Sequence, residues 1–269
     1  MTTLTSSNYR VFATRPEQQN ESWVLRLRSL SYLAVDTPML AIVPVAEPKH
    51  LQAIRDTILR LDQFYALIFV SQNAVNYGFE WIDQFWSEFP AGLSCFAVGS
   101  KTEQCLRDCL DAIYPAFAAP LVSGGEAMTS EALLNVEALL GVESKKIAIF
   151  RGLGGRTKLQ DSLTSRGALV EHCELYHRTC PAEMSQQLSE FGVCIESDIF
   201  PLFSGETLEN FHNILVRQSL PEWQSVQLVV PGERVAKYAQ ALGFKRIKVA
   251  LNASEPSMLN ALSECTNRV

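Results

Sequence analysis

The stretch IAIFRGLGGRTKLQDSLTSRGALVEHCELYHRTCP, Ile147 to Pro181, decides how this chain folds. Ile147-Ala148-Ile149-Phe150 reads as a short apolar strand and Arg151-Gly152-Leu153-Gly154-Gly155-Arg156 as a glycine-rich turn. Lys158 to Arg166 then reads as a helix, with Leu159 and Leu163 one turn apart and Gly167 at its stop. The strand that follows alternates. His172, Glu174, Tyr176 and Arg178 share one face, and Cys173, Leu175, His177 and Thr179 share the other. Both faces are mixed, which predicts a solvated linker strand rather than a core strand. At the glycine turn, outward-facing N–H groups favour an anion; alternatively, the glycines simply permit a tight strand-to-helix turn.

Outward from this unit the same alternation recurs. Val11-Phe12-Ala13-Thr14 is a strand, Arg15-Pro16 a turn, and Glu17 to about Leu33 a helix with Trp23, Leu27, Leu30 and Leu33 on one side. A strand through Met39 to Val43 and a helix from about His50 to Leu61 follow. Further strands end at Ser71-Gln72-Asn73, Gly99-Ser100, Ser123-Gly124-Gly125, Ser204-Gly205, Pro231-Gly232 and Ser254-Glu255-Pro256, with helices between them. The helix through Trp81 and Trp86 carries an aromatic stripe that reads as core cover. Short apolar strands alternating with helices specify a parallel sheet flanked by helices, whose sites collect at the carboxyl ends of the strands.

The strand endings repeat. Ser71 and Gly99 are 28 residues apart, as are Ser204 and Gly232, and the next endings follow after 24 and 22 residues, at Ser123 and Ser254. The strand, Arg, turn, helix, strand unit also occurs twice, with Arg15 and Arg151 directly after the first strand. In one copy this unit comes last, and in the other it stands at the amino terminus. The expected fold is therefore α/β with two similar domains, each a parallel sheet flanked by helices. Residues 1–38 plus 178–269 form a split domain and residues 46–170 a continuous one. Residues 39–45 and 171–177 form a two-segment β linker, with a cleft between the domains.

Composition narrows the function. A chain of 269 residues with 47% hydrophobic side chains is a folded globule of two-domain size. The net charge of -6 argues against a nucleic-acid surface or an anionic membrane, so an anionic ligand must be met by local donors. The amino terminus, Met1 to Asn8, lacks signal-peptide character, and no apolar run reaches membrane-helix length, which predicts a cytoplasmic protein. Seven cysteines show no paired zinc-ligand spacing; they read as free thiols, with Cys105 and Cys109 one helical turn apart.

The candidate residues keep two readings each. A nicotinamide fingerprint fits the glycine turn badly, because its third glycine falls at Thr157. Ser71, Ser204 and Ser254 are helix caps, or caps that also meet a ligand. Neither serine-hydrolase sequence nor triad is evident around Ser71, Ser204 or the four histidines. Tyr176 is a packing residue or a proton donor.

Taken together, the motifs make the chain similar to the uroporphyrinogen-III synthase family over nearly its whole length. The likeness rests on Thr14-Arg15-Pro16, Phe69-Val70-Ser71 before Asn73-Ala74-Val75, Ala97-Val98-Gly99 with Thr102, and Arg151 to Arg156 with Leu159 and Arg166-Gly167. It continues in Tyr176-His177-Arg178 with Pro181, Ser204-Gly205, Gly232-Glu233-Arg234 and Gly243-Phe244. Val70 and Phe203 depart from it, standing where the family often has Thr. The resemblance implies a cofactor-free lyase that closes the linear tetrapyrrole hydroxymethylbilane into uroporphyrinogen III, inverting the fourth ring through a spiro intermediate. It implies Tyr176 as the proton donor to the leaving hydroxyl. Substrate carboxylates would be met by Arg15, Ser71, Asn73, Gly99, Ser100, Thr102, Arg151, Gly152, Gly154, Arg178, Ser204, Gly205, Gly232, Arg234 and Ser254. It also implies a transient handover from the enzyme that makes the substrate. Two rivals stand beside it: a dinucleotide-dependent enzyme, and a two-domain small-anion or nucleotide-binding protein without cyclase activity.

Overall fold

The computed structural model describes residues 9–116, 121–123, 130–155 and 157–266. Met1 to Asn8, Gly124-Gly125 and Arg156, all read above, lie outside the described residues. In chain order the elements are β1 (Arg10–Ala13), α1 (Glu17–Ser29), β2 (Leu33–Asp36), β3 (Ala41–Pro44), α2 (Pro48–Ile58), β4 (Ala66–Phe69), α3 (Gln72–Phe85), β5 (Ser94–Ala97), α4 (Ser100–Ile113), β6 (Leu121–Ser123) and α5 (Ser130–Leu134). They continue with β7 (Lys146–Gly152), α6 (Lys158–Ser165), β8 (Leu169–Thr179), α7 (Met184–Phe191), β9 (Asp198–Pro201), α8 (Gly205–Arg217), β10 (Gln227–Pro231), α9 (Gly232–Leu242), β11 (Arg246–Ala250) and α10 (Glu255–Thr266).

The chain divides into two compact units, one running Val43–Arg178 and the other comprising the chain up to Ile42 together with the chain from Thr179. The continuous unit has the sheet order β3-β8-β7-β4-β5-β6. Its strands β4 to β8 are parallel, with Ala66 opposite Ile147 and Phe69 opposite Phe150. Strand alternation sends Ala66, Ile68, Ile147 and Ile149 to one core with Leu133, Leu139, Leu159 and Leu163. The ring of Phe150 packs 4.7 Å from that of Phe69. A Cβ at Gly78 of α3 would come within 2.8 Å of the Phe150 ring, so α3 seats closely on the sheet because residue 78 has no side chain.

The split unit has the order β11-β10-β9-β1-β2, all parallel. Val11 and Ala13 face one core with Trp23, Leu27, Val229 and Met258, whereas Phe12 faces the other with Phe200, Phe211, Leu228 and Val230. Matching the two orders strand by strand places β8-β7-β4-β5-β6 against β2-β1-β9-β10-β11, so both units use one five-strand plan entered at different points of the chain.

Two expectations need correction. Helix α1 ends at Ser29 rather than near Leu33, and Leu33, read as the last residue of its apolar face, opens the edge strand β2. Leu33 is 55% exposed there, so its apolar character marks no helix face. The second concerns the solvation of β8 alone: it lies between β3 and β7 in the sheet of the continuous unit, and the chain passes to the other unit at its end. Part of its mixed faces meets partners within the protein. Cys173, Leu175 and Tyr176 are buried, while Glu171 pairs with Arg60 at 3.1 Å and His172 meets Arg151.

Candidate active site

In the continuous unit the carboxyl ends of β4, β5 and β7 meet the middle of β8 around a pocket of about 340 Å³. Its walls are Val70, Val98, Ile149 and Leu159, with Arg151, Gly152, Tyr176 and Arg178 supplying the polar and close-packed side.

Tyr176 is 3% exposed, and its Oη lies 2.8 Å from Ser71 Oγ. Ser71 follows β4 with extended backbone and caps α3, its Oγ accepting the Ala74 N–H at 3.1 Å. A hydroxyl has one proton, so the Ser71–Tyr176 pair shares its two protons in a chain that ends on the positive end of α3. The Tyr176 ring is held by Tyr77, 5.8 Å away, and by the backbone of Gly152, where a Cβ would stand 2.5 Å from the ring. Residues 152 and 176 are register partners just after a shift in the β7–β8 pairing. That shift turns the glycine toward the phenol.

Arg151 is 6% exposed. Its Nε donates to the Gly152 carbonyl at 3.2 Å, and its Nη1 lies 3.5 Å from His172 Nε2. Burial first, and the Arg151 charge second, hold His172 below the ordinary imidazole range, with Glu174 opposing. A neutral His172 can accept the guanidinium N–H. Gly155 makes room for this arginine, since a Cβ there would stand 2.2 Å from Nη2. Two of the turn's three glycines thus also make room for side chains, and Gly154 stands at φ +70. The Leu153 N–H is also engaged, donating to the Tyr176 carbonyl at 2.7 Å.

The other expected residues sit where their strands end. Asn73 is in the first turn of α3. Gly99 is buried at φ +87 before α4, which begins at Ser100 and buries Thr102. In the split unit, Arg15 follows β1 with its guanidinium 4.3 Å over the Phe203 ring and 5.3 Å from Trp23. Its Nε is buried without a hydrogen-bond partner, and burial lowers its pKa. Ser204 caps α8 in a reciprocal capping box with Thr207, and Gly205 opens that helix. Gly232, at φ +74, opens α9, whose first turn exposes Arg234. Ser254 is exposed, with its N–H on Asn252 Oδ1 at 2.9 Å. Tyr176, Arg151, Gly152 and Arg178 thus converge at one pocket, with Ser71 joined to it through the Tyr176 hydroxyl, while the split-unit residues line the corresponding edge of their own sheet.

His172, Gly155 and the apolar wall of Val70, Val98 and Ile149 did not figure among the expected site residues. For His172 a signal existed: it alternates onto the same strand face as Tyr176 and Arg178. Another pocket, of about 320 Å³, lies at the opposite edge of the split unit's sheet, among Asp198, Gln227 and Arg246 at the starts of their strands. Parallel α/β sheets carry their sites at the other edge.

Fold and pocket define an α/β protein of two permuted units with a buried phenol, a capping serine and arginines at the carboxyl edge of a parallel sheet. The family model described as uroporphyrinogen-III synthase HemD matches residues 21–260. The uroporphyrinogen-III synthase of Escherichia coli strain K12 is 30% identical over 259 residues, 94% of this chain and 99% of the relative. That of Salmonella typhimurium strain LT2 is 31% identical over 259 residues with the same coverage. Among solved structures, the uroporphyrinogen-III synthetase of Helicobacter pylori aligns with a TM-score of 0.57 at 14% identity, covering 96% of this chain and 99% of that one, and so shares the fold. The chain belongs to the uroporphyrinogen-III synthase family.

Proposed function

We propose that this chain closes hydroxymethylbilane to uroporphyrinogen III, with Tyr176 protonating the hydroxyl that departs as water. The observation that carries the residue assignment is the buried Tyr176 phenol, hydrogen-bonded at 2.8 Å to Ser71 beside Arg151 in a pocket with apolar walls. A phenol keeps its proton at neutral pH and can deliver it as the carbon–oxygen bond breaks. Loss of water leaves an azafulvene. Attack by the substituted carbon of the fourth ring gives a spiro intermediate, which fragments and recloses with that ring inverted. The carbon that closes the macrocycle loses a proton, so the phenol is restored and the net change is release of one water.

The protein's larger task is geometric, because holding the reacting carbons together removes an entropic barrier worth several kcal/mol. Substrate carboxylates are assigned to the strand-end donors named above, with Arg151 and Arg178 at the pocket and Arg15, Ser204, Gly232, Arg234 and Ser254 in the split unit. No helix among the described residues is long and apolar enough to cross a membrane. We assign the reaction to the cytoplasm, with the labile linear tetrapyrrole passed from the enzyme that makes it.

The test is a coupled assay with freshly generated hydroxymethylbilane, scoring type III against type I product for the wild type and Tyr176→Phe. Wild-type protein is expected to give type III product. Binding without the inverted isomer would leave a binding protein, and an unchanged rate for Tyr176→Phe would remove Tyr176 from the proton transfer.

A further inference from the structure

Cys105 and Cys109 take no part in the pocket around Tyr176. They stand one turn apart on α4, so their side chains share one face. Both are partly exposed and line an open pocket of about 510 Å³ with Gln72 and Asn76 of α3 and Gln104 and Asp108 of α4. The Cys105 thiol donates to Asn76 Oδ1 at 3.2 Å.

We propose that this thiol pair is a binding site for trivalent arsenic compounds, which bridge the two sulfurs across one turn of α4. For an organoarsenic oxide the step balances without an oxidant. Two As–S bonds form as the As=O bond is lost, the two thiol protons leave with that oxygen as water, and arsenic stays trivalent. Once the first sulfur has added, attack by the second is intramolecular, so the bridged adduct outlasts a single As–S bond.

The surroundings select this ligand class over a metal cation. Burial raises the pKa of both thiols, that of Cys109 to about 11, so thiolate is scarce at neutral pH. A divalent ion needs thiolates and further ligands. Among the described residues, no group of three or more His, Cys, Asp or Glu is placed to hold a metal ion. A monosubstituted organoarsenic(III) oxide exchanges its oxygen for two protonated thiols, its third bond remaining to carbon. Of the other cysteines, Cys95 and Cys173 are buried, and none of Cys180, Cys194 and Cys265 has a second cysteine within a helical turn of sequence.

The test treats the full-length protein with phenylarsine oxide and follows it by intact mass and peptide mapping. The expected adduct maps to the peptide holding Cys105 and Cys109, persists in excess 2-mercaptoethanol and is removed by 2,3-dimercaptopropanol. Cys105→Ser and Cys109→Ser should each lose the persistent adduct, and Cys194→Ser should keep it. Absence of an adduct, its mapping elsewhere, its survival in both pair variants, or its removal by monothiol alone would each overturn the assignment. Mapping on wild-type protein decides even if a variant fails to fold.

Discussion

Gly152 is held to glycine by a neighbour rather than by its backbone. Its φ is not positive, so alanine suits the local chain, yet the added Cβ would stand 2.5 Å from the Tyr176 ring. Gly152→Ala should therefore leave the fold intact and push the phenol aside, lowering kcat by up to about 10²-fold, the scale on which small displacements of reacting groups are felt. Gly154→Ala has the opposite character: open space around its Cβ, but a strained φ of +70, so its cost should appear in stability before turnover. Steady-state kinetics beside urea denaturation separate the two. Tyr176→Phe removes the proton and keeps the ring, and its kcat should fall by about 10²-fold with little change in melting temperature. His172 sets a pH dependence. Its folded-state pKa lies below the ordinary 6.5, so below about pH 6.5 the unfolded chain binds more protons at this position than the folded one. Stability should accordingly fall as pH drops through that window. His172→Gln keeps an acceptor for Arg151 and removes the titration, so its melting temperature should decline less than the wild type's between about pH 7 and pH 5. An equal decline in both proteins would take the effect away from His172.

Among the elements, α3 and α8 are matched probes, since Ser71 and Ser204 each cap a helix after a strand of the same rank in the sheet order. Loss of either cap should cost about 1 kcal/mol of stability. Only Ser71→Ala also removes the hydroxyl partner of Tyr176, so urea denaturation should show similar losses for the two variants while kcat falls for Ser71→Ala alone, and any cost of Ser204→Ala to activity should appear in KM. A comparable fall in kcat at saturating substrate for Ser204→Ala would show that the cap, not the phenol contact, matters. This pairing also marks how far the sequence could be read. Strands β4 and β10 are legible because their apolar runs are buried on both faces and end in small or turn-forming residues. Strand β2 is not, because as an edge strand it buries little and its Leu33 continues the helical spacing of Trp23 and Leu27. Strand β8 misleads through its polar residues, whose partners Arg60 and Arg151 come from other elements. The Ser71–Tyr176 bond spans 105 positions, and no local pattern announces it. The glycines at 152 and 155 were visible, but the rings and guanidinium that require them were not.

At the scale of the molecule, one five-strand plan appears twice. The continuous copy begins and ends on neighbouring strands, for β3 and β8 are adjacent in the sheet and the Val45 N–H donates to the Leu175 carbonyl at 3.0 Å. Both ends of this unit can therefore be cut without withdrawing a strand from its middle. Its core is its own: Phe69, Phe96 and Phe150 are at most 1% exposed. A fragment of residues 39–179 keeps all of β3 and β8 and falls in the size range of independently folding domains. It should unfold cooperatively in urea with a near-ultraviolet circular dichroism signal. Phe150→Ala should destabilise it by about 3–5 kcal/mol, since the ring fills the space left open by Gly78. Ser71, Tyr77 and Tyr176 all lie inside the fragment, so Tyr176→Phe should alter its near-ultraviolet spectrum without moving the urea midpoint far. A broad transition with dye-binding hydrophobic surface would mean instead that the repeated plan is a topological unit but not a folding unit, and that the phenol site depends on the whole chain for its form.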